Sequence, residues 1–146
     1  MKLNIVLTDC ATVSSGDLDL SVLEQFGNVT YYPETSPDQT AERIKDADVV
    51  VTGEGRLDGQ TVMGKAPIGV ARIAKKYDKT VIAFCGTASP DAVKCNDHGI
   101  DAFFPVLQKP CTLSEAMDET NAYNNLASTA EQAFRLIRRI SSEGRS

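Results

Sequence analysis

Asp48-Val49-Val50-Val51-Thr52-Gly53-Glu54-Gly55-Arg56-Leu57-Asp58-Gly59-Gln60 starts, after its aspartate, as an unbroken run of β-branched residues. A run without alternation is the pattern of a strand covered on both faces in a parallel sheet. The run stops at Gly53 and Gly55, where the backbone gains freedom to turn. Glu54, Arg56 and Asp58 then fall within what reads as one short loop. A buried strand ending in glycines and charges is how an open α/β sheet presents a ligand site at its carboxyl edge. A solvated loop closed by a salt bridge from Arg56 to Asp58 or Glu54 would have the same spacing.

The segments on either side are helical. Upstream, Ser36-Pro37-Asp38-Gln39 combines a capping box with proline at the first helical position, and its helix runs to about Ala47. Downstream, Ala66 to Tyr77 carries an apolar face of Ile68, Val70, Ala71, Ile73, Ala74 and Tyr77. Lys75 and Lys76 sit in its last turn, where the helix dipole favours cations.

Further out the alternation continues. Lys2 to Asp9 reads as a first strand, and Cys10 to Asp17 as loop. Leu18, Leu20, Val22, Leu23 and Phe26 give a short helical face that Gly27 closes, before a second strand over Val29–Tyr32. Thr80–Cys85 is a fourth strand ending at Gly86, and Ser89-Pro90-Asp91 opens a short helix that Gly99 stops. Ala102–Leu107 is a fifth strand, placed at a sheet edge by Pro105. Thr112 and Glu115 form a second capping box. The long terminal helix that follows turns Ala116, Tyr123, Leu126, Ala130, Ala133, Phe134, Ile137 and Ile140 inward, with a break near Asn121.

Strict β-α alternation with right-handed crossovers predicts one domain over residues 1–146. It would be a three-layer, doubly wound parallel sheet, flavodoxin-like, with about five strands in the order 2-1-3-4-5. In that order the loops after Asp9 and Thr52 face each other across a crevice, beside the loop after Cys85.

Bulk properties narrow the function. With 146 residues, 42% hydrophobic and 24% charged, the chain has an ordinary globular composition. Its net charge of −5 without a basic block argues against nucleic acid. No apolar run approaches a membrane span, so the expectation is a cytoplasmic protein with no membrane partner, monomeric or weakly dimeric through its fifth-strand edge. Cys10, Cys85, Cys95 and Cys111 form no C-x-x-C pair, and His98 is the only histidine, so no metal centre built from protein ligands alone is expected.

Two resemblances enter on motifs. Leu18-Asp19-Leu20-Ser21-Val22-Leu23-Glu24, Gly27-Asn28-Val29-Thr30-Tyr31-Tyr32 and Arg43–Thr52 resemble the start of the substrate-binding domain of D-isomer-specific 2-hydroxyacid dehydrogenases, over residues 1–52. Thr52-Gly53-Glu54-Gly55-Arg56-Leu57-Asp58 with Gln60, Gly64-Lys65, Pro67–Ala71, His98–Ala102 and Thr112–Ala116 resemble the C-terminal part of the bacterial glycerate kinase family, over residues 47–140. Together these imply a chimera spliced near residues 47–52, with an incomplete kinase centre. The dehydrogenase half carries no G-x-G-x-x-G unit.

The kinase resemblance implies ATP and Mg²⁺ as cofactors, and glycerate or a phosphate-type anion as the small-molecule partner. Phosphoryl transfer needs cations against the phosphate charge, a metal-holding carboxylate and a positioned hydroxyl. Asp58 and Glu54 are the candidate catalytic carboxylates, with Asp58 as a possible Mg²⁺ ligand. Arg56, Lys65, Gly53 and Gly55 are the candidates for binding substrate or phosphate. Gly86, Thr87 and Ser89, leading into a helix at Pro90, would add backbone amides for an anion. Three other readings stay open. One is a non-catalytic fold that binds at most a small anion, and another is a dehydrogenase-type substrate domain without its NAD domain. The last is a response-regulator-like receiver using Asp9.

Overall fold

The computed structural model describes residues 2–13 and 19–143. Five parallel strands form one sheet: β1 (Leu3–Leu7), β2 (Gly27–Tyr31), β3 (Val49–Leu57), β4 (Thr80–Ala88) and β5 (Ala102–Pro105). Their order is β2-β1-β3-β4-β5, as the alternation predicts. The helices are α1 (Cys10–Val13), α2 (Pro37–Ile44), α3 (Ala66–Lys76), α4 (Leu113–Met117) and α5 (Glu119–Glu143). Short 3-10 segments cover Leu20–Gln25, Thr61–Met63 and Pro90–His98.

Side-chain alternation divides the core into two layers. On one face Val6, Val50, Val81, Ala83 and Cys85 pack with Ile44 of α2, Ile68, Val70, Ala71 and Ala74 of α3, and Ala92 and Cys95. On the other, Leu3, Ile5, Leu7, Val49, Val51, Ile82 and Phe84 meet Val22, Leu23 and Phe26, together with Leu126, Ala130, Ala133 and Phe134 of α5. β3 lies in the middle of the sheet, and both its faces are covered, which explains its unbroken valines.

The local signals explain most boundaries. Gln39 Oε1 accepts from the Ser36 amide at 3.1 Å, and Glu115 Oε2 from the Thr112 amide at 2.8 Å, so both capping boxes form. Gly99 stops its segment in the left-handed conformation at φ 103°.

Several boundaries differ from the expected ones. Cys10–Val13 is a helical turn rather than loop, while residues 14–17 of the expected loop, and Leu18 of the expected helical face, lie outside the described residues. β2 opens at Gly27, directly after the Phe26 C-cap and two residues before the expected Val29, and a Cβ on Gly27 would collide with the Leu3 carbonyl of the neighbouring strand. The terminal helix breaks at Asp118, three residues before the expected Asn121. The reason is a new cap, since Asp118 Oδ1 accepts from the Asn121 amide at 3.0 Å. Ile140, expected inward, is 60% exposed. No helix among the described residues is long and apolar enough to cross a membrane.

The largest difference lies at the centre. β3 does not end at Thr52, and β4 does not end at Cys85. They stay paired from Gly53↔Phe84 to Leu57↔Ala88, several residues past the carboxyl ends of their neighbours. The Gly53–Gln60 loop expected from sequence is therefore mostly a two-stranded parallel ribbon.

Candidate functional site

The ribbon sets the geometry of the carboxyl edge. Glu54 and Arg56 are ladder residues opposite Cys85 and Thr87, and only Asp58, Gly59 and Gln60 turn freely before the 3-10 segment at Thr61. Gly64, at φ 101°, then reverses the chain into α3, and Lys65 stands at that helix's N-cap. Lys65 Nζ thereby reaches Glu54 Oε1 at 3.3 Å, with Glu54 largely covered and Lys65 half exposed. Arg56 Nε lies 3.8 Å from Asp58 Oδ2. Two of the expected carboxylates and two of the expected cations thus come together as two ion pairs.

Asp58 is held at several points. Its Oδ1 accepts from the Gln60 amide at 2.9 Å, and its own amide donates to Thr61 Oγ1 at 3.2 Å. The turn is also tied to the 3-10 segment that follows β4. Asp91 accepts from the Ser89 hydroxyl and the Gly59 amide, and these bonds, Ser89 first, hold its carboxyl below the usual range. A Cβ on Gly59 would strike the Asp91 carboxylate.

Gly86 and Thr87 lie within the extended β4 rather than in a loop, and Ser89 stands at the N-cap of the Pro90–His98 segment. Thr87 pairs with Arg56 in the ladder, and the Ser89 amide donates to the Leu57 carbonyl at 2.9 Å. The Gly86 contact is steric: a Cβ there would come within 2.7 Å of the Gly55 carbonyl oxygen. The Ser89 amide is thus taken up by the turn that closes the ribbon.

Sequence reasoning passed over Thr8 and Thr52 as site residues and weighed Asp9 only for a receiver. Thr8, Asp9 and Thr52 are buried at the ends of β1 and within β3. Among the described residues, the buried side-chain oxygens or nitrogens without a hydrogen-bond partner are Thr8 Oγ1, Asp9 Oδ2, Thr52 Oγ1 and Glu54 Oε2. All four lie at the carboxyl edge of the β1–β3 pair. Each such group costs about 1–3 kcal/mol when left unmet. The available signal was the run of polar residues that ends both strands at the switch point, where Asp9 entered only as a receiver-type aspartate.

Fit to a metal can be judged on these residues. Among the described residues no three His, Cys, Asp or Glu side chains gather as a metal cluster. Asp58 has one oxygen on the Gln60 amide and the other toward Arg56, so it can offer a cation at most one arm. Glu54 Oε2 and Asp9 Oδ2 are carboxylate oxygens with nothing bonded to them. Magnesium uses one or two carboxylates and fills its shell with water and substrate phosphates. Of these only Asp58, partly exposed at the turn, meets that demand, with one arm, since Glu54 Oε2 and Asp9 Oδ2 are closed to water.

The molecule is thus a doubly wound α/β protein whose strand ends carry paired ionic groups over unmet buried oxygens. The chain belongs to the glycerate kinase family, whose sequence model matches residues 37–138. It is 49% identical over 94 residues to the glycerate kinase of Haemophilus influenzae, covering 64% of this chain and 24% of that protein. It also superposes on the crystal structure of a protein from Salmonella typhimurium LT2 provisionally named glycerate kinase 2. That match has a TM-score of 0.52 at 36% identity and covers 84% of this chain and 31% of the other. The receiver domain of NtrC4 from Aquifex aeolicus matches in fold alone, at TM-score 0.50 and 21% identity, over 92% of this chain and 98% of that one. The chain spans about a quarter of the length of the Haemophilus relative.

The family match starts at residue 37, ten residues before the resemblance was expected to begin. Arg43–Thr52, read as dehydrogenase-like or shared, therefore lies inside the glycerate kinase span.

Proposed function

We propose that this chain carries one wall of a glycerate-kinase-type active site, for ATP-dependent phosphorylation of glycerate, and lacks full activity alone. The observation that carries the reading is the pairing of Glu54 with Lys65 and Arg56 with Asp58 at the strand ends, within the family-matched span. Both cations are substantially exposed, so an entering phosphate or carboxylate can draw them from their present partners. Arg56 would take such a group as a bidentate fork and Lys65 as a point charge. The freed Asp58 or Glu54 would then accept the proton of the glycerate hydroxyl as the phosphoryl group leaves ATP for that oxygen, with ADP departing. Bound Mg²⁺ would supply charge neutralisation on the phosphates.

Positioning is the main catalytic contribution in this chemistry, and part of a site loses most of it. That supports binding without efficient turnover in a chain spanning a quarter of its relatives. Residues 1–36 lie outside the family match, and their motifs support a dehydrogenase-like origin for that segment. On that reading any junction falls before Pro37 rather than at 47–52.

Calorimetric titration of ATP with Mg²⁺, and separately of D-glycerate, tests the proposal. The expected result is saturable heat with at least one ligand, weakened in Asp58→Ala and Lys65→Ala, alongside ATP consumption far below that of a complete relative. Absence of heat with both ligands from a cooperatively folded chain would overturn it.

A further inference from the structure

We infer that the free edge of β2, Gly27–Tyr31, pairs antiparallel with the same edge of a second copy of this chain, making one continuous sheet across a two-fold axis. The ladder shows which backbone groups are available. The Tyr32 amide donates to the Leu7 carbonyl at 2.9 Å, and the Tyr32 carbonyl accepts from the Cys10 amide at 3.0 Å, so both groups of Tyr32 turn toward β1. By strand alternation Thr30 and Asn28 turn the same way. Gly27, Val29 and Tyr31 therefore turn their N–H and C=O groups outward, where nothing among the described residues pairs with them. The opposite edge of the sheet is built differently. The Val106 amide donates inward to the Cys85 carbonyl at 2.8 Å, which turns Pro105 outward, so β5 lacks an N–H on its free side. β2 has no proline and no charged residue, and Val29, Thr30 and Tyr31 are all strong strand formers. The pairing of copies expected at the fifth strand is thereby moved to the second.

The occupant is a second copy because the edge complements itself. Full antiparallel overlap sets Val29 against Val29 of the second copy on the axis, with Gly27 against Tyr31 of the second copy on either side. Each of these residues has both backbone groups turned outward, so every such pair exchanges both N–H···O bonds. The side chains agree with this register. Gly27 leaves room beside the Tyr31 ring, whose hydroxyl stays bonded to Glu24 at 3.1 Å. Asn28 and Thr30, both exposed, become direct neighbours across the interface and can hydrogen-bond there. Sliding the copies further along would bring in Pro33, which has no N–H to offer. A groove of about 350 Å³ follows this edge, lined by Asn28, Thr30, Glu42 and Lys45 among others. Glu42 and Lys45 are paired at 2.7 Å, so they set no like-charge barrier against the second copy. Every residue of the pairing precedes Pro37 and lies outside the family-matched span. Antiparallel pairing also points the two carboxyl edges in opposite directions, which leaves the Glu54 and Asp58 region of each copy open.

Sedimentation equilibrium of the full chain from about 10 µM to about 1 mM spans the affinities that so small an interface allows. The expected result is a reversible equilibrium between monomer and dimer. Two double variants read the register. Asn28→Lys with Thr30→Lys sets lysine against lysine, twice by symmetry, and should weaken the dimer by about tenfold or more. Asn28→Lys with Thr30→Glu sets lysine against glutamate and should hold the dimer at least as tightly as the parent. Both positions are exposed, and urea melts check that each variant is folded. A chain that stays monomeric at every concentration overturns the inference. So does a dimer that both variants weaken alike, or that neither weakens. The phosphoryl-transfer reading is tested apart from this, because the pairing uses none of its residues. A dimer with the expected variant pattern but no heat from ATP or glycerate would support this interface while removing the kinase reading.

Discussion

Gly55 and Gly86 are expected to respond oppositely to the same added methyl group. They sit at the one gap in the β3–β4 ladder, between Glu54↔Cys85 and Arg56↔Thr87. A Cβ on Gly86 would lie 2.7 Å from the Gly55 carbonyl oxygen, where ordinary contact begins at 3.4 Å. Both partners are backbone, so the strands themselves must part by about 0.7 Å, stretching the flanking ladder bonds. Overpacking of this kind costs about 1–3 kcal/mol, and each weakened bond can add about 0.5–1.5 kcal/mol. Gly86→Ala should therefore lose about 2–3 kcal/mol, roughly 6–10 °C in melting temperature for a chain of this size. Gly55→Ala meets nothing within 4 Å and should instead gain about 0.5 kcal/mol by restricting the unfolded chain. Urea melts measure both changes, and amide exchange at Glu54–Leu57 shows whether the ribbon opens locally. If Gly86→Ala stays within about 0.5 kcal/mol of the parent, the close strand approach is not what fixes glycine there.

Two further expectations concern titration and reactivity. Burial first, and then the hydrogen bond to Glu24 at 3.1 Å, push the Tyr31 phenol up to about 12. Between the ordinary value near 10 and that raised value, the native state holds a proton that the unfolded state has released. Stability should fall as pH rises through this window, and Tyr31→Phe should flatten the fall in alkaline urea melts. Burial likewise raises the Cys85 thiol to about 11 and the Cys95 thiol above its ordinary value, whereas Cys111 is exposed. An aromatic disulfide reagent should modify Cys111 at once, and Cys85 and Cys95 only as fast as the chain unfolds. Immediate reaction of Cys85 would contradict its burial.

Most of the fold was legible because two periodicities and a few caps carried it. Ser36-Pro37 and Thr112 marked true helix starts, and the valines after Asp48 marked a doubly covered strand. Strand ends were harder to read. Glycines at 53, 55 and 86 looked like turn residues, because sequence does not show that two glycines will meet at one ladder gap and admit close strand approach. Of the site, the charges were legible by type and spacing, and the structure pairs them as Glu54–Lys65 and Arg56–Asp58. Thr8 and Thr52 were not, since threonine is an ordinary strand residue. Only the lack of a partner for each buried hydroxyl sets them apart, and that depends on how strands distant in sequence pair.

The family-matched stretch depends on the segment before it, and this can be tested directly. Leu3, Ile5, Leu7, Val22, Leu23 and Phe26 all sit in the layer beneath α5, with Phe26 stacked on Phe134 at 4.9 Å. Arg138 also donates to the Gln25 carbonyl at 2.9 Å, and the Asp48 amide donates to the Asn4 carbonyl at 2.8 Å. Burying each of those six side chains is worth about 1.5–3 kcal/mol. Their combined loss rivals the whole stability of a typical domain, about 5–15 kcal/mol. Removing them would also leave β3 as an unpaired edge with its valine face open to water. A fragment covering residues 37–143 should therefore show no cooperative urea transition and little of the helical circular dichroism of the full chain. Adding a peptide of residues 1–36 should restore both in proportion to its occupancy. A fragment that melts cooperatively by itself would show that Glu54 and Asp58 can be presented without β1 and β2. In that case Thr8 and Asp9 would be additions to a self-sufficient edge rather than half of what builds it.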